Sequence, residues 1–272
     1  MRTFMNDYAL PEQRREVILG RLASDQRVVA RDLAIEFGVS EDAIRRDLRD
    51  LADAGKCRRV YGGALPLADT APFVERVDRD FPVKRALARA AAALIAPDNT
   101  IYLDAGSTNL LLAESLTRGR PVTVVSNSVS IAAAVYRRPE VRLHLIGGHV
   151  DSAFDGALGA AAVEQVARYR PDLAFIGACA VNPDFGVAVL DDRDADLKRA
   201  AIRAAAHVVV LASNDKLGRT APHSVAPPQA IHTLVIEQDA PDAACAAFES
   251  AGSIIVRATS APDLMPRGLN QN

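Results

Sequence analysis

The chain has 272 residues, of which 49% are hydrophobic and 24% are charged, and its formal net charge is −2. This composition is that of a globular protein long enough for two domains, and it excludes a largely disordered chain. Because the overall charge is nearly balanced, any contact with nucleic acid must come from a local basic patch.

The sequence also argues against several other classes of protein. Its three cysteines are far apart and odd in number, and its five histidines lack metal-ligand spacing, so we expect neither a disulfide framework nor a metal site. No apolar run approaches the length of a membrane span, and the first residues lack the apolar core of a signal peptide. We therefore expect a cytoplasmic protein with no membrane partner.

Helices are predicted at residues 11–23 and 30–37, and a third follows a tight turn at Gly38. Ser40 is a suitable N-cap for this third helix. One face of the helix carries an apolar stripe at the spacing i, i+4, i+7 that must be buried, formed by Ile44, Leu48 and Leu51. The helix ends near residues 54–55, where a glycine provides a C-terminal signal.

The opposite face of the third helix is basic. Arg45, Arg46 and Arg49 fall within an arc of roughly 100° at 3.6 residues per turn. A helix that is buried on one face and basic on the other is what a helix-turn-helix places in the DNA major groove. The alternative is a solvated face, on which the arginines pair with acidic residues of the same helix, namely Asp42, Asp47 and Asp50.

A second basic stretch supports the DNA-facing interpretation. Residues 56–64 are rich in Lys and Arg and close in paired glycines, a pattern that indicates a small β-wing. From Arg45 to Arg59 there are six basic and three acidic residues, which gives a local net charge of +3. Phosphate neutralisation requires such a patch, and the affinity that it provides falls steeply with salt.

The rest of the chain is typical of an α/β domain. A proline-rich segment at 66–82 is predicted to be a linker, and an alanine-rich helix follows at 84–95. Short β-branched runs predict buried strands at 101–103, 122–125, 141–146, 173–176, 208–211 and 234–236. Helices are predicted between and after them, at 109–117, 128–137, 159–168, 194–206 and 242–251. This alternation indicates a mostly parallel sheet.

Three loops that follow predicted strands are candidates for a shared ligand pocket. They comprise residues 104–109, residues 126–128 and the pair Gly147-Gly148. Ligands bind at the carboxyl ends of parallel strands, where glycines, hydroxyls and helix N-termini suit a phosphate or a carboxylate. Each loop taken alone is equally consistent with an ordinary turn or helix cap.

Two lysines are further candidates for the pocket. Lys216 follows the predicted strand 208–211, in a loop where it is able to meet a phosphate. Lys198 lies near the start of the helix 194–206, where it is either a pocket residue or a surface residue of an amphipathic helix.

Ordered motifs along most of the chain carry a resemblance to a known family. The amino-terminal motifs are Phe37-Gly38-Val39-Ser40, Ile44-Arg45-Arg46-Asp47-Leu48 and Gly62-Gly63-Ala64. The later motifs are Asp104-Ala105-Gly106-Ser107-Thr108, Ser126-Asn127-Ser128, Gly147-Gly148, residues 174–178, residues 194–198 and Asp215-Lys216-Leu217-Gly218. From about residue 14 to about residue 256, the chain resembles the DeoR family of bacterial transcriptional regulators.

The resemblance implies a domain organisation. Residues 1–65 would form a winged helix-turn-helix domain, residues 66–82 a linker, residues 83–260 an α/β effector-sensing domain, and residues 261–272 a tail. The C-terminal sensor domain would be similar in fold to ribose-5-phosphate isomerase. The chain departs from the family pattern at five positions, Ala43, Cys57, Tyr61, Asn109 and Ser213.

Residue patterns and resemblance together give two candidate sites. The predicted DNA-binding residues are Ser40, Arg45, Arg46, Arg49, Arg58, Arg59 and Tyr61. The predicted effector-binding residues are Asp104, Gly106, Ser107, Thr108, Asn109, Ser126, Asn127, Gly148, Lys198, Asp215 and Lys216. No catalytic residue, metal or cofactor is predicted.

The resemblance implies a repressor of a sugar or carbohydrate catabolic operon whose binding to double-stranded operator DNA is modulated by a phosphorylated sugar or related metabolite. It further implies a homo-oligomer, a dimer or a tetramer. The alternative is an isomerase-like enzyme for sugar phosphates with an accessory DNA-binding head. Such an enzyme needs a positioned general base. Asp104, Asp194 and Asp215 are candidate carboxylates, but their pattern does not demand catalysis, so we predict that the protein is not an enzyme.

Overall fold

The computed structural model describes residues 10–25, 28–66 and 71–259. The predicted tail at 261–272 lies outside the described residues, as do parts of the first predicted domain and of the linker. The first part of the chain, which we call the head, contains three helices and three strands in its described residues. They are α1 Pro11–Asp25, β1 Val28–Val29, α2 Ala30–Phe37, α3 Glu41–Asp53, β2 Cys57–Val60 and β3 Gly63–Pro66.

The predicted turn and helix of the head are observed. Gly38 ends α2 in the left-handed conformation with φ 63°, and the Ser40 hydroxyl accepts a hydrogen bond from the Ala43 N–H at 3.2 Å. Ile44, Leu48 and Leu51 are all buried in a core made only of head residues. Because this core shares no residue with the cores that follow, the head has its own hydrophobic interior.

The predicted wing is a three-stranded antiparallel sheet in the order β1-β3-β2. At Gly63 the backbones of β3 and β1 are close together, since a Cβ at this position would be 1.9 Å from the Val28 carbonyl oxygen. Only glycine fits this register without displacing the backbone of β1.

The segment that follows the head contains more helix than expected. A short helix, α4 Phe73–Val77, lies inside the predicted linker, and the alanine-rich helix is α5 Phe81–Ala92. It begins three residues before the predicted start, because Pro82 occupies its first turn, where the lack of an N–H costs nothing.

The second part of the chain, which we call the sensor domain, contains twelve strands and five more helices among the described residues. Its strands are β4 Thr100–Leu103, β5 Val122–Ser126, β6 Val141–Leu145, β7 His149–Asp151, β8 Gly156–Leu158, β9 Leu173–Ile176, β10 Ala180–Asn182, β11 Gly186–Val189, β12 His207–Ala212, β13 His223–Ala226, β14 Thr233–Glu237 and β15 Ile254–Ala258. Its helices are α6 Ser107–Glu114, α7 Val129–Val135, α8 Ala160–Val166, α9 Asp192–Ala204 and α10 Asp242–Ser250.

Seven of these strands form one parallel sheet in the order β15-β14-β12-β9-β4-β5-β6. From β4 the chain winds outward through β5 to β6, and it then returns to the other side of β4 and winds outward from β9. The strand order therefore reverses between β4 and β9, and such a switch point opens a crevice at the carboxyl ends of the strands. Apolar cores cover both faces of the sheet.

All six predicted strands lie in this sheet, and the fold class is confirmed. The edge strand β15 was not predicted, nor were the short antiparallel strands of the hairpin β7-β8 and the small sheet β10-β11-β13. In the described residues, no helix combines the length and the apolar character that crossing a membrane requires.

Candidate functional site

The exposed face of α3 carries the three predicted arginines. Arg45 is bonded to its own helix, with Nη2 2.7 Å from Glu41 Oε1 and Nη1 3.5 Å from Asp42 Oδ1. Arg46 and Arg49 are exposed, and among the described residues neither forms an ion pair. The solvated-face alternative therefore describes Arg45, whereas the other two guanidinium groups are available to a partner.

Two aspartates of α3 do not neutralise its arginines. Asp47 is buried and accepts from Arg14 Nε of α1 at 2.8 Å, and Asp50 accepts from Arg15 Nη1 at 2.7 Å. These contacts fasten α3 to α1. Ser40 caps the same helix, so it fixes the position of the basic face.

The wing residues point in two directions, as alternation along a strand requires. Arg59 and Tyr61 are exposed, and Tyr61 lies at the tip of the wing. Arg58 instead reaches the sensor domain, where Nη1 donates to Thr220 Oγ1 at 2.9 Å and to the Ala221 carbonyl at 3.0 Å. In this arrangement the side chain of Arg58 joins the two parts of the chain.

A cavity of about 210 Å³ lies at the switch point of the large sheet. Its walls come from the loops after β4 and β9, from α9 and from the linker. Six of the eleven predicted effector residues line it, namely Gly106, Ser107, Thr108, Asn109, Lys198 and Lys216. Asp215 lines a smaller adjoining cleft that shares Ser107 and Lys216 with the cavity.

The N-terminal turn of α6 forms one wall of the cavity, through residues 107–109. The first N–H groups of a helix have no partner within the helix, and the helix dipole makes this end positive. The wall therefore suits an anionic group such as a phosphate.

The other four predicted effector residues do not line the cavity, although Asn127 helps to shape its wall. Asn127 Oδ1 accepts from the Tyr102 hydroxyl and the Ala105 N–H, both at 3.1 Å. Its Nδ2 donates to the Ala157 carbonyl at 3.2 Å. Ala105 is a lining residue, so Asn127 holds the loop that precedes α6.

Asn109 also holds the loop that precedes α6, by hydrogen bonds to the backbone. Its Nδ2 donates to the carbonyls of Asp104 at 2.9 Å and Phe175 at 3.0 Å, which ties together the ends of β4 and β9. Ser126 Oγ donates to the Leu103 carbonyl at 2.6 Å. Gly148 has φ 142° and lies beside Ala157 and Leu158.

Lys198 lies between two carboxylates at the base of the cavity. Its Nζ is 2.6 Å from Asp104 Oδ2 and 2.6 Å from Asp194 Oδ1, and the exposed fractions of these side chains are 3%, 0% and 7%. Burial alone would lower the pKa of Lys198, but the two carboxylates raise it. Burial raises the pKa of Asp104 to about 6 against the opposing charge of Lys198. Lys198 is therefore buried beside the cavity and is not a surface residue of α9.

Lys216 is the second lysine of the cavity, and among the described residues no carboxylate forms an ion pair with it. Burial lowers its pKa despite the attraction of Cys179 and Asp215, and the weaker repulsion from Arg76 and Lys198 acts in the same direction as burial. A cation without an ion-pair partner in a cavity favours an anionic ligand.

Several cavity residues were not predicted from the sequence, among them Arg76 of α4, Phe154 of the β7-β8 hairpin and Cys179 after β9. Burial raises the pKa of the Cys179 thiol. Cys179 could have been predicted as a cavity residue, because it follows a predicted strand. Arg76 lies in the proline-rich segment that was predicted to be a linker, which carries no such signal. Within the described parts of the chain, no group of His, Cys, Asp and Glu residues is arranged to hold a metal ion.

Comparison with known proteins gives matches in both parts of the chain. A family model described as the DeoR C-terminal sensor domain matches residues 81–238, and one described as the DeoR-like helix-turn-helix domain matches residues 14–69. The sensor match alone covers more than half of the chain. This match overlaps the predicted sensor domain at 83–260. The helix-turn-helix match overlaps the predicted DNA-binding domain at 1–65 and the start of the predicted linker.

Named relatives are similar over most of their length. The chain is 29% identical over 249 residues to a putative aga operon transcriptional repressor of Escherichia coli O157:H7, covering 90% of this chain and 93% of the other. It is 32% identical over 212 residues to FruR, an uncharacterized HTH-type transcriptional regulator of Bacillus subtilis strain 168, covering 77% and 84%. A glycerol-3-phosphate regulon repressor of Escherichia coli K12 is 28% identical over 211 residues, with coverage of 77% and 84%.

A solved structure of ribose 5-phosphate isomerase A from Neisseria gonorrhoeae aligns with 52% of this chain and 55% of its own. The TM-score is 0.35 and the sequence identity is 18%. This likeness has no bearing on activity.

Proposed function

The chain belongs to the DeoR family of transcriptional regulators, and from this premise we propose that a phosphorylated sugar bound in the switch-point cavity controls its binding to operator DNA. The protein is a DNA-binding transcriptional regulator, and its named relatives are repressors and regulators, not enzymes. The isomerase alternative is therefore set aside. Operator binding implies that the protein works in the cytoplasm.

The proposed DNA contact is made by α3 in the major groove. Arg46 and Arg49 have exposed guanidinium groups with no ion pair among the described residues, and Arg pairs bidentately with the O6 and N7 of guanine. Arg59 and Tyr61, on the wing, are exposed where a phosphate backbone would run. Arg45 must exchange its intrahelical bonds to Glu41 and Asp42 before it contacts DNA.

The proposed effector site is the cavity at the carboxyl ends of β4 and β9. The N-terminal turn of α6 and the ammonium of Lys216 offer positive charge to a phosphate, and this pairing of cavity and charge is the observation that carries the proposal. A volume of about 210 Å³ lies below the range of about 300–1,000 Å³ for drug-sized ligands, which favours a compact metabolite.

The names of the relatives support a metabolite of this class. One relative is named as a glycerol-3-phosphate regulon repressor and another as a putative aga operon repressor. By analogy we propose that this protein represses a carbohydrate operon and that its effector is a phosphorylated sugar or polyol. Two heads on a symmetric operator make a homodimer the minimum assembly that we expect.

The effector acts only if it binds one arrangement of head and sensor domain better than another. The test is to measure binding of the purified protein to the DNA upstream of its own gene, at fixed salt, with and without a panel of sugar phosphates. The expected result is a shift in DNA affinity with one phosphate and no shift with the corresponding free sugar.

Two variants test the location of the effector site. Lys216→Ala and Ser107→Ala are expected to lose the response to that phosphate while still forming the operator complex. Arg85→Gln removes an exposed cation outside the cavity and should keep the full response. If both site variants respond like the wild type, the cavity is not the effector site.

A further inference from the structure

The segment that leads from the head to the sensor domain forms part of the cavity wall. Ala71, Pro72 and Arg76, all within the predicted linker, line the cavity together with Ser107 and Lys216 of the sensor domain. A ligand in this cavity is therefore in contact with two parts of the chain, the sheet and the connection to the DNA-binding head.

Helix α4 is fastened against the sensor domain at both of its ends. Phe73 is buried, and its N–H donates to the Ala153 carbonyl at 2.9 Å. At the other end, the Lys84 ammonium of α5 donates to the Arg76 carbonyl. These contacts hold the backbone on both sides of Arg76 in a defined place and direct its side chain to the cavity.

The guanidinium of Arg76 has no carboxylate partner among the described residues. Its Nε is buried and lacks a hydrogen-bond partner among the described residues, and Cζ lies 5.9 Å from the centre of the Phe73 ring. A buried polar nitrogen without a partner costs free energy, and this cost is greater for a charged group. An anion in the cavity would supply the missing acceptor.

Two ammonium groups lie close to this guanidinium. Arg76, Lys84 and Lys216 together line the small cleft that adjoins the cavity. Burial, and then the charge of Lys216, lowers the pKa of Lys84 to about 8, with Arg76 acting in the same direction. Asp80 and Asp215 oppose this effect without cancelling it. The cluster is electropositive, and it would be stabilised by an anionic ligand.

We propose that Arg76 binds the anionic group of the effector directly, so that the effector joins the sensor domain to the segment that carries the DNA-binding head. This inference rests on the proposed function, since it assumes that the cavity is the effector site. It adds to the effector site a residue, Arg76, that lies in the segment before the sensor domain. It also identifies α4 as the element whose position depends on whether the effector is bound. An Arg supplies this contact well, because its planar fork matches a phosphate bidentately.

The test uses inorganic phosphate as the probe and the full-length protein, with ionic strength held constant by sodium chloride. Calorimetric titration is expected to show phosphate binding weakened about tenfold or more in Arg76→Gln, since the lost hydrogen bonds are to a charged group. Arg76→Lys keeps the charge without the fork and should give an intermediate affinity. Arg85→Gln, an exposed arginine of α5 outside the cavity, should bind phosphate like the wild type.

A second readout examines α4 itself. Phosphate is expected to slow amide hydrogen exchange over residues 73–77 in the wild type and in Arg85→Gln, but not in Arg76→Gln. A variant that only lost local packing would exchange faster in this segment without phosphate as well. That pattern, with unchanged phosphate affinity, would overturn the proposal.

The outcomes separate this inference from the proposed function. If the wild type binds phosphate and Lys216→Ala loses it while Arg76→Gln retains it, the effector site stands and the role of Arg76 is refuted. If phosphate does not bind the wild type, or binds it and both variants equally, the anion site is refuted and this proposal falls with it.

Discussion

Replacing Lys198 by methionine tests the charge arrangement beneath the cavity. The change removes one ammonium and leaves Asp104 and Asp194, both buried, with no opposing charge between them. Breaking a buried pair by removing one partner costs about 3–5 kcal/mol, because an uncompensated charge remains buried. Here two carboxylates are left, so we expect a loss within that range.

The assay is urea unfolding of the sensor domain followed by circular dichroism, analysed separately from the unfolding of the head. The matched control is the triple variant Asp104→Asn, Lys198→Met, Asp194→Asn, which removes all three charges and should recover much of the lost stability. A single variant within about 0.5 kcal/mol of the wild type, the range of ordinary surface substitutions, would refute the buried arrangement.

On the DNA side, Arg46→Ala should weaken operator binding by about 1–3 kcal/mol and relax base preference. Arg59→Ala should instead reduce the slope of log affinity against log salt concentration by about 0.9. Fluorescence anisotropy over a salt series distinguishes the two variants, and identical salt dependence would contradict the assignment of Arg46 to a base and Arg59 to a phosphate. Gly63→Ala should destabilise the head by about 1–3 kcal/mol, because its Cβ would lie 1.9 Å from the backbone of β1. In thermal unfolding, Gly20→Ala is the control: beyond its chain neighbours and the backbone of its own helix no atom of the described residues lies within 4 Å of the new Cβ, so the change should not destabilise the head. Sugar-phosphate affinity measured by calorimetry should fall as pH rises through about 8, where Lys84, whose pKa is lowered mainly by burial, loses its charge; the phosphate is already dianionic above its second pKa of about 6. A Lys84→Met profile as steep as that of the wild type would contradict this cause.

The large sheet was predictable because its central strands are buried on both faces. Such strands read as continuous apolar runs, and all six predicted runs are strands of this sheet. The two edge strands β6 and β15 are both only partly buried, and since β6 was predicted, burial does not explain why β15 was missed. The strands of the hairpin β7-β8 have three residues each, which is too short for a period of two to be recognised.

The candidate site was predictable where a signal was local. Lys198 follows Asp194 by four residues, a spacing that places both on one helix face, whereas its second partner Asp104 is 94 residues away in sequence and only the fold brings them together. Arg76 was missed because a proline-rich segment gives no period from which a helix or an inward-facing side chain can be inferred. Arg58 was predicted to contact DNA from its basic surroundings, and its bond to Thr220 depends on how the head meets the sensor domain.

The central claim is that operator and effector binding are linked, and reciprocity tests it most directly. The operator affinity is measured with and without the active sugar phosphate, and the affinity for that phosphate is measured with and without operator DNA. Linkage requires both affinities to change by the same factor, typically about 5- to 150-fold. An effector affinity that operator DNA does not change would contradict the account, even if the phosphate binds in the cavity.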